Sequence, residues 1–300
     1  MSVQKMRDLL TLDTVSAAEI VTILDLATKQ KADPSTYRNN QILQGKTVGL
    51  FFEKASLRTR LSFETAVCQL GGNCIYMGPD CGRIGEREAI VDLAKVSSRY
   101  LAAFVLRTFK DETVVEMARH ATKPVINGLS DKQHPCQALG DLLTIREKRG
   151  RLNGLKVAFI GDSNNVCRSL AHALPKVGAQ LVVSSPHGYT FTPAFVKSTG
   201  ISLVSDPVEA IKDADVVYTD TWTSMGQENE AHKRRATFQA YQVNAQMMAH
   251  APKGVFMHCL PAHRGDEVDD TVMDGPQSVV IDQAENRLHV QRALLTLLLS

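Results

Sequence analysis

Short apolar runs alternate with longer amphipathic stretches along most of the chain. In the first half TVGLFF (47–52), NCIYM (73–77), AAFVLR (102–107) and PVING (124–128) read as strands. In the second half LKVAFIG (155–161), QLVVSS (180–185), ISLVS (201–205), DVVYTD (215–220) and GVFMHCL (254–260) do the same. These runs are apolar on both faces, and helical periodicity fills the intervals between them. The pattern predicts an α/β fold, with mostly parallel sheets covered on both sides by helices. An opening helix is expected after Ser16, where Ala17, Ile20, Ile23, Leu24 and Ala27 recur at helical spacing. The last segment, NRLHVQRALLTLLL, predicts a terminal helix.

At 300 residues, two domains fit better than one, and each half is long enough to bury its own core. The stretch REKRGRLNG (146–154) is charged and ends in Asn-Gly, which predicts a boundary. The expected organisation is two doubly wound domains, residues 1–147 and 152–285. The C-terminal helix, 286–300, is expected to pack back on the first.

Composition narrows the function classes. The chain is 44% hydrophobic and 22% charged, as soluble globular proteins are. With 34 basic and 32 acidic residues, the near balance argues against nucleic acid as a partner, which would need a concentrated basic face. The six cysteines include no CxxC pair, so neither a disulfide framework nor a structural zinc site is expected. Apolar runs such as LAAFVL (101–106) are too short to span a bilayer, and the first twenty residues lack a long apolar stretch. A cytoplasmic protein with reduced thiols and no membrane partner is the expectation.

Candidate chemistry collects where strands give way to helices. In KASLRTRLSF, Ser56, Arg58, Thr59 and Arg60 precede a helical pattern directly after a strand. A helix start at the carboxyl end of a parallel strand offers unpaired N–H groups and a positive dipole end. Hydroxyls and guanidinium forks add donors for phosphate oxygens. A capped helix whose arginines face solvent is the alternative. Arg107 ends the strand AAFVLR, and HPCQ (134–137) opens another helix, with proline in the tolerated first turn. Arginine and histidine beside a carbonyl oxygen would stabilise a tetrahedral oxyanion. No Ser-His-Asp set and no ligand cluster for a catalytic metal is visible, and GxGxxG is absent.

The set SxRTR, HPxQ, GDSNNVCRSL (161–170), TDTWTSMGQE (219–228), HCLPAHRG (258–265) and AENR (284–287) resembles the aspartate/ornithine carbamoyltransferase family, and most closely its ornithine branch. The matches run in order from about residue 45 to residue 290. SxRTR with HPxQ marks the wider family; SMG after a DxW strand end, together with HCLP, marks the branch.

The resemblance implies transfer of a carbamoyl group from carbamoyl phosphate to the δ-amine of L-ornithine, in arginine biosynthesis, without metal or organic cofactor. It implies that Ser56, Leu57, Arg58 and Thr59 hold carbamoyl phosphate, and that Arg107, His134 and Gln137, with Pro135 and Cys136 in the same turn, hold its carbonyl and amide ends. Cys259 and Leu260 would lie beside the reacting carbon, with Arg287 as a further donor contact. Arg58, Arg107, His134 and Cys259 are the catalytic candidates. Asn165, Asp220, Ser224 and Met225 match the ornithine-binding positions. A free α-amino acid needs an anion for its ammonium and donors for its carboxylate, which suits Asp220 to the first. The resemblance also implies a homotrimer with shared sites.

Two positions depart from the family pattern. Leu57 stands where the ornithine motif carries threonine, a change tolerable if the backbone N–H makes the contact. SLRTR is also similar to enzymes acting on N-acetylornithine or N-succinylornithine. These acceptors, with putrescine and aspartate, remain alternatives, which the Asp220 and SMG segment opposes. Arg83 stands where a glutamine often reaches into a neighbouring subunit's site, and the resemblance implies that the arginine contacts the phosphate of carbamoyl phosphate there. Arg60, Trp222, His258 and Arg264 are read as supporting residues.

Overall fold

A computed structural model describes residues 6–224, 226 and 228–300. They divide into two compact units, residues 1–143 with 285–300, and residues 144–284. Among the described residues no helix is long and apolar enough to cross a membrane.

The first unit is built on four parallel strands in the order β2-β1-β3-β4, with β1 at Thr47–Phe52, β2 at Asn73–Met77, β3 at Ala103–Arg107 and β4 at Val125–Leu129. β1, β3 and β4 match apolar runs because a parallel strand buried on both faces has no polar side to show, whereas the edge strand β2 is partly open, with Ile75 53% exposed. Phe51, Phe104, Leu106, Val114, Met117 and Val125 pack one core cluster. At the sheet edge, Leu9 bridges to Ile126, its N–H donating to the Val125 carbonyl at 2.9 Å. The helix Ala17–Ala32 starts at Ser16 in a capping box closed by Glu19, and buries Ile20, Ile23, Leu24 and Ala27. Such a cap stabilises a helix by about 1 kcal/mol.

The terminal helix runs Val280–Leu299, beginning six residues before the segment read from periodicity. Its buried Arg292 donates to Gln30 Oε1 (3.2 Å), Gln69 Oε1 (2.6 Å) and His289 Nδ1 (3.1 Å), with its guanidinium 3.9 Å from the Tyr37 ring centroid. Amides, an imidazole and a ring face thus satisfy this cation.

The second unit has five parallel strands in the order β7-β6-β5-β8-β9: β5 Lys156–Ile160, β6 Gln180–Ser184, β7 Ser202–Val204, β8 Val216–Thr219 and β9 Val255–His258. Ile160, Val217, Phe256, Val268 and Met247 belong to its core cluster.

The strand orders locate the chemistry. In the first unit the chain steps from β1 to β2 on one side, then returns to build β3 and β4 on the other. In the second it steps from β5 to β6 and β7, then returns to β8 and β9. The sheets therefore reverse direction at β1/β3 and at β5/β8. Ligands of open parallel sheets bind outside the carboxyl ends of the strands at such points.

Candidate active site

At the β1/β3 point, the helix Leu57–Gln69 begins directly after β1. Ser56 caps it, accepting from the Thr59 N–H at 3.3 Å. The N–H groups of Leu57 and Arg58 sit in the first turn, where a helix supplies no acceptor. Leu57 is 70% exposed. Thr59 is buried, and its Oγ1 accepts from Arg287 Nη2 at 2.7 Å. Arg107 ends β3 at a register irregularity between Leu106 and Arg107 that shifts its pairing to Leu129. Bulges of this kind re-aim a side chain at a strand end.

Glu53, just past β1, accepts from the Phe109 N–H at 2.8 Å and the Ile84 N–H at 3.1 Å, pinning the loops that follow β3 and β2. Lys54 pairs with Asp131 at 2.6 Å, holding the turn that leads to His134. His134 precedes the helix Pro135–Arg149 and is buried. Burial, then the nearby cations Arg287 and Arg107, hold its imidazole well below the usual range, so it is neutral at pH 7. A neutral imidazole still donates one N–H. Gln137 is buried, its Nε2 donating to Asp141 Oδ1 at 2.9 Å. Gly140 lets this helix approach Arg287: a Cβ at that position would lie 3.3 Å from Arg287 Cγ. Ser56, Thr59, Arg107, His134, Gln137 and Arg287 thus belong to one unit, on elements that converge on its switch point.

Cys136 points inward, its Sγ donating to the Asn127 carbonyl at 3.4 Å, and burial pushes the thiol up to about 12. It is a structural thiol, so any ligand contact from Pro135 or Cys136 falls to their backbone. Arg83 is exposed on the loop after β2, paired with Glu86 at 3.9 Å and lying 4.8 Å from the Phe109 ring centroid.

At the β5/β8 point the groups change character. Asn164 caps the helix Asn165–Ala173, its Oδ1 accepting from the Val166 and Cys167 N–H groups at 3.0 and 3.1 Å. Its Nδ2 donates to Asp220 Oδ2 at 2.6 Å. Asp220 follows β8 and is 7% exposed. Its Oδ1 accepts from the Thr221 N–H at 2.8 Å and from Cys259 Sγ at 2.9 Å. A carboxylate, an amide and a thiol therefore meet in one cluster. Ser224 is half-buried in the loop beyond Trp222, and Met225 lies outside the described residues.

Asp220, His258 and Cys259 bring donor atoms within 4.8 Å of one another, a grouping that could suggest a metal. Their atoms are engaged otherwise. His258 Nδ1 accepts from the Leu260 N–H and Nε2 lies 2.9 Å from Glu267 Oε1, which assigns the ring proton to Nε2. Leu260 has φ +58°, a conformation that side chains seldom adopt, held by that bond. Glu267 also accepts from the His263 N–H at 2.7 Å, so the His258–Glu267 pair braces the whole turn.

Several residues of this region carry no sequence signal strong enough to single them out. Asn164 beside Asn165 is one. Another is the buried Arg234, which donates to Asp162 (2.7 Å), the Trp222 carbonyl (2.8 Å) and Glu230 (3.2 Å). It joins the turn after β5 to the loop after β8. Burial pushes the Asp162 carboxyl up, with Arg234 working against it. Of the supporting residues, Trp222 stacks on Phe238, Arg60 pairs with Glu64, and Arg264 pairs with Asp270 and Asp274.

Fold and donors define a two-unit parallel α/β protein. At its switch point one unit presents an open helix start beside Arg287, and the other a buried carboxylate bonded to an amide and a thiol. The chain belongs to the aspartate/ornithine carbamoyltransferase family: residues 7–147 match the family's carbamoyl-P binding domain and residues 153–298 its Asp/Orn binding domain. It is 48% identical over 303 residues to the anabolic ornithine carbamoyltransferase of Pyrococcus furiosus, covering 98% of this chain and 96% of that protein. It is also 48% identical to the ornithine carbamoyltransferase of Bacillus subtilis, over 98% of this chain and 94% of that protein. The solved Pyrococcus furiosus enzyme superposes with a TM-score of 0.94, covering 99% of each chain. The Thermus thermophilus enzyme gives 0.92 at 43% identity, covering 99% of this chain and 100% of that one.

Proposed function

We propose that the chain is an enzyme that transfers the carbamoyl group of carbamoyl phosphate to the δ-amine of L-ornithine, giving L-citrulline and phosphate in arginine biosynthesis. The first unit takes the donor: the first turn of Leu57–Gln69, with Ser56, Arg58, Thr59 and Arg287, holds the phosphate. Arg107, His134 and Gln137, at the start of the helix that Pro135 and Cys136 open, hold the carbamoyl end. Asp220 of the second unit takes the ammonium of the amino acid, and Asn165, Ser224 and Met225 take its carboxylate. Cys259 and Leu260 lie beside the reacting carbon.

Chemistry follows from these roles. An alkylammonium with an ordinary pKa of about 10.4 cannot attack, so the site must favour the neutral amine. Desolvation favours it, and Cys259 and Asp220 form the hydrogen-bonded pair nearest that task. As the N–C bond forms, negative charge grows on the carbonyl oxygen, where Arg58, Arg107 and the neutral His134 stabilise it. The C–O bond to phosphate then breaks, and the leaving phosphate takes the electron pair and the surplus amine proton. Placement of the reactants removes roughly 7–11 kcal/mol of barrier.

The observation that carries this reading is the buried Asp220 carboxylate at the β5/β8 point, held by Asn164 and Cys259. An acylated α-amine has no charge for it to meet, and putrescine has no carboxylate. The test is citrulline formation from ornithine and carbamoyl phosphate, run beside N-acetylornithine, N-succinylornithine and putrescine. Turnover of an acylated ornithine with none of ornithine would overturn it. We also propose a cytoplasmic homotrimer in which the exposed Arg83 serves a neighbouring subunit's site. Light scattering would give three chains per particle.

A further inference from the structure

Gln137 and Asp141 stand one turn apart on the helix Pro135–Arg149, so their side chains share a face. Both are sealed from water, at 1% and 0% exposure. Gln137 Nε2 donates to Asp141 Oδ1 at 2.9 Å. Gln137 Oε1, equally buried, has no hydrogen-bond partner among the described residues.

Asp141 Oδ1 is the acceptor in this pair, and an accepting oxygen faces the NH2 end of a glutamine amide rather than its carbonyl. It therefore decides which end of the glutamine amide faces it. The NH2 end turns to Asp141, and the carbonyl end is left for whatever binds beside it. Buried polar atoms are nearly always paired, so a lone acceptor in a candidate site points to a ligand that donates.

We propose that Asp141 is a positioning residue that makes the donor site selective for a carbamoyl group over other acyl phosphates. The inference rests on the reading above that Gln137 faces the amide end of the donor. Acetyl phosphate carries the same phosphate and carbonyl but presents a methyl group where carbamoyl phosphate presents NH2. Only the second satisfies Gln137 Oε1. A site built to pair a polar group rejects an analogue lacking it, because its own buried atom is left unpaired. Asp141 never touches the donor; it removes the alternative orientation in which the amide NH2 would confront the donor NH2.

The test is Asp141→Asn, whose side chain accepts and donates alike and so permits both amide orientations. The KM for carbamoyl phosphate should rise about tenfold, the size of one neutral hydrogen bond. The inhibition constant of acetyl phosphate, measured as a competitor of carbamoyl phosphate, should stay within about twofold. Gln137→Met should show the same loss of preference, and the double variant should lose no more than Gln137→Met alone. Should the asparagine variant not fold, Asp141→Ser removes the carboxylate in a smaller side chain and is read in the same way. Equal weakening of both ligands would reduce Asp141 to a structural role and overturn the proposal, as would an unchanged preference. A wild-type enzyme that makes citrulline yet binds both phosphates equally would overturn it too. A wild-type enzyme that makes no citrulline would remove the donor reading itself.

Discussion

The two switch points use one backbone plan for opposite electrostatic ends. Each has a helix starting just after the first strand of its sheet, and each gathers side chains from the strand across the reversal. At β1/β3 the cap is a serine with one 3.3 Å bond, and Arg287 donates to Thr59 in the first turn. At β5/β8 the asparagine cap takes two N–H groups for itself and uses its other end to hold a carboxylate. A helix start offers its backbone N–H groups to an anion to the extent that its cap leaves first-turn donors to spare. At β5/β8 the cap consumes two of them and sets an acid, Asp220, beside the helix start.

Four substitutions or conditions would break or sharpen that contrast. The largest effect is expected for Arg58→Ala, which should lower kcat/KM by about 100- to 1,000-fold, as removal of one oxyanion donor does. Its melting temperature should stay near wild type, since Arg58 is only half-buried; unchanged citrulline production would place the anion elsewhere.

Next comes Asp220→Asn, which keeps the shape and removes the charge. The KM for ornithine should rise about 10- to 100-fold, in line with a hydrogen bond to a charged group. The KM for carbamoyl phosphate should hold, and parallel loss of both would erase the division between the units.

A smaller effect is a pH dependence of stability. His134 is held below its unfolded value of about 6.5, so below that pH the unfolded chain binds a proton that the folded chain refuses. Its contribution is present above about pH 6.5 and is lost as pH falls towards the folded value. Buried His289 acts in the same direction. Melting temperature should therefore drop between about pH 6.5 and 5, and His134→Asn should flatten part of that slope. Identical slopes would show that His134 takes up its proton in both states.

The smallest is Leu57→Thr. The side chain is exposed, so only the backbone N–H is left to act, and KM should move less than about twofold.

Most of the architecture was legible because the central parallel strands, buried on both faces, must be apolar throughout; all nine runs became strands, the exposed edge strands β2 and β7 included, with ends moved by no more than two residues. Candidate chemistry was legible where it sits at element junctions, as in SLRTR and HPCQ. What could not be read were pairings made by the fold. Nothing in spacing links Thr59 to Arg287, which entered only through resemblance. Arg234 sits in a run of basic residues that looks like a solvated helix face, yet it is buried against Asp162. Asp141 lies inside the helical pattern ALGDLLTI, where an acid reads as surface until its burial is seen.

The bond between Arg287 and Thr59 joins positions 228 apart. Its arginine belongs to the final helix, which Arg292 ties to Gln69 at the far end of the helix that Thr59 helps to start. The helix Leu57–Gln69 is thus clamped near both ends by one distant segment of the chain, so loosening that single segment would unmoor its first turn and its last together.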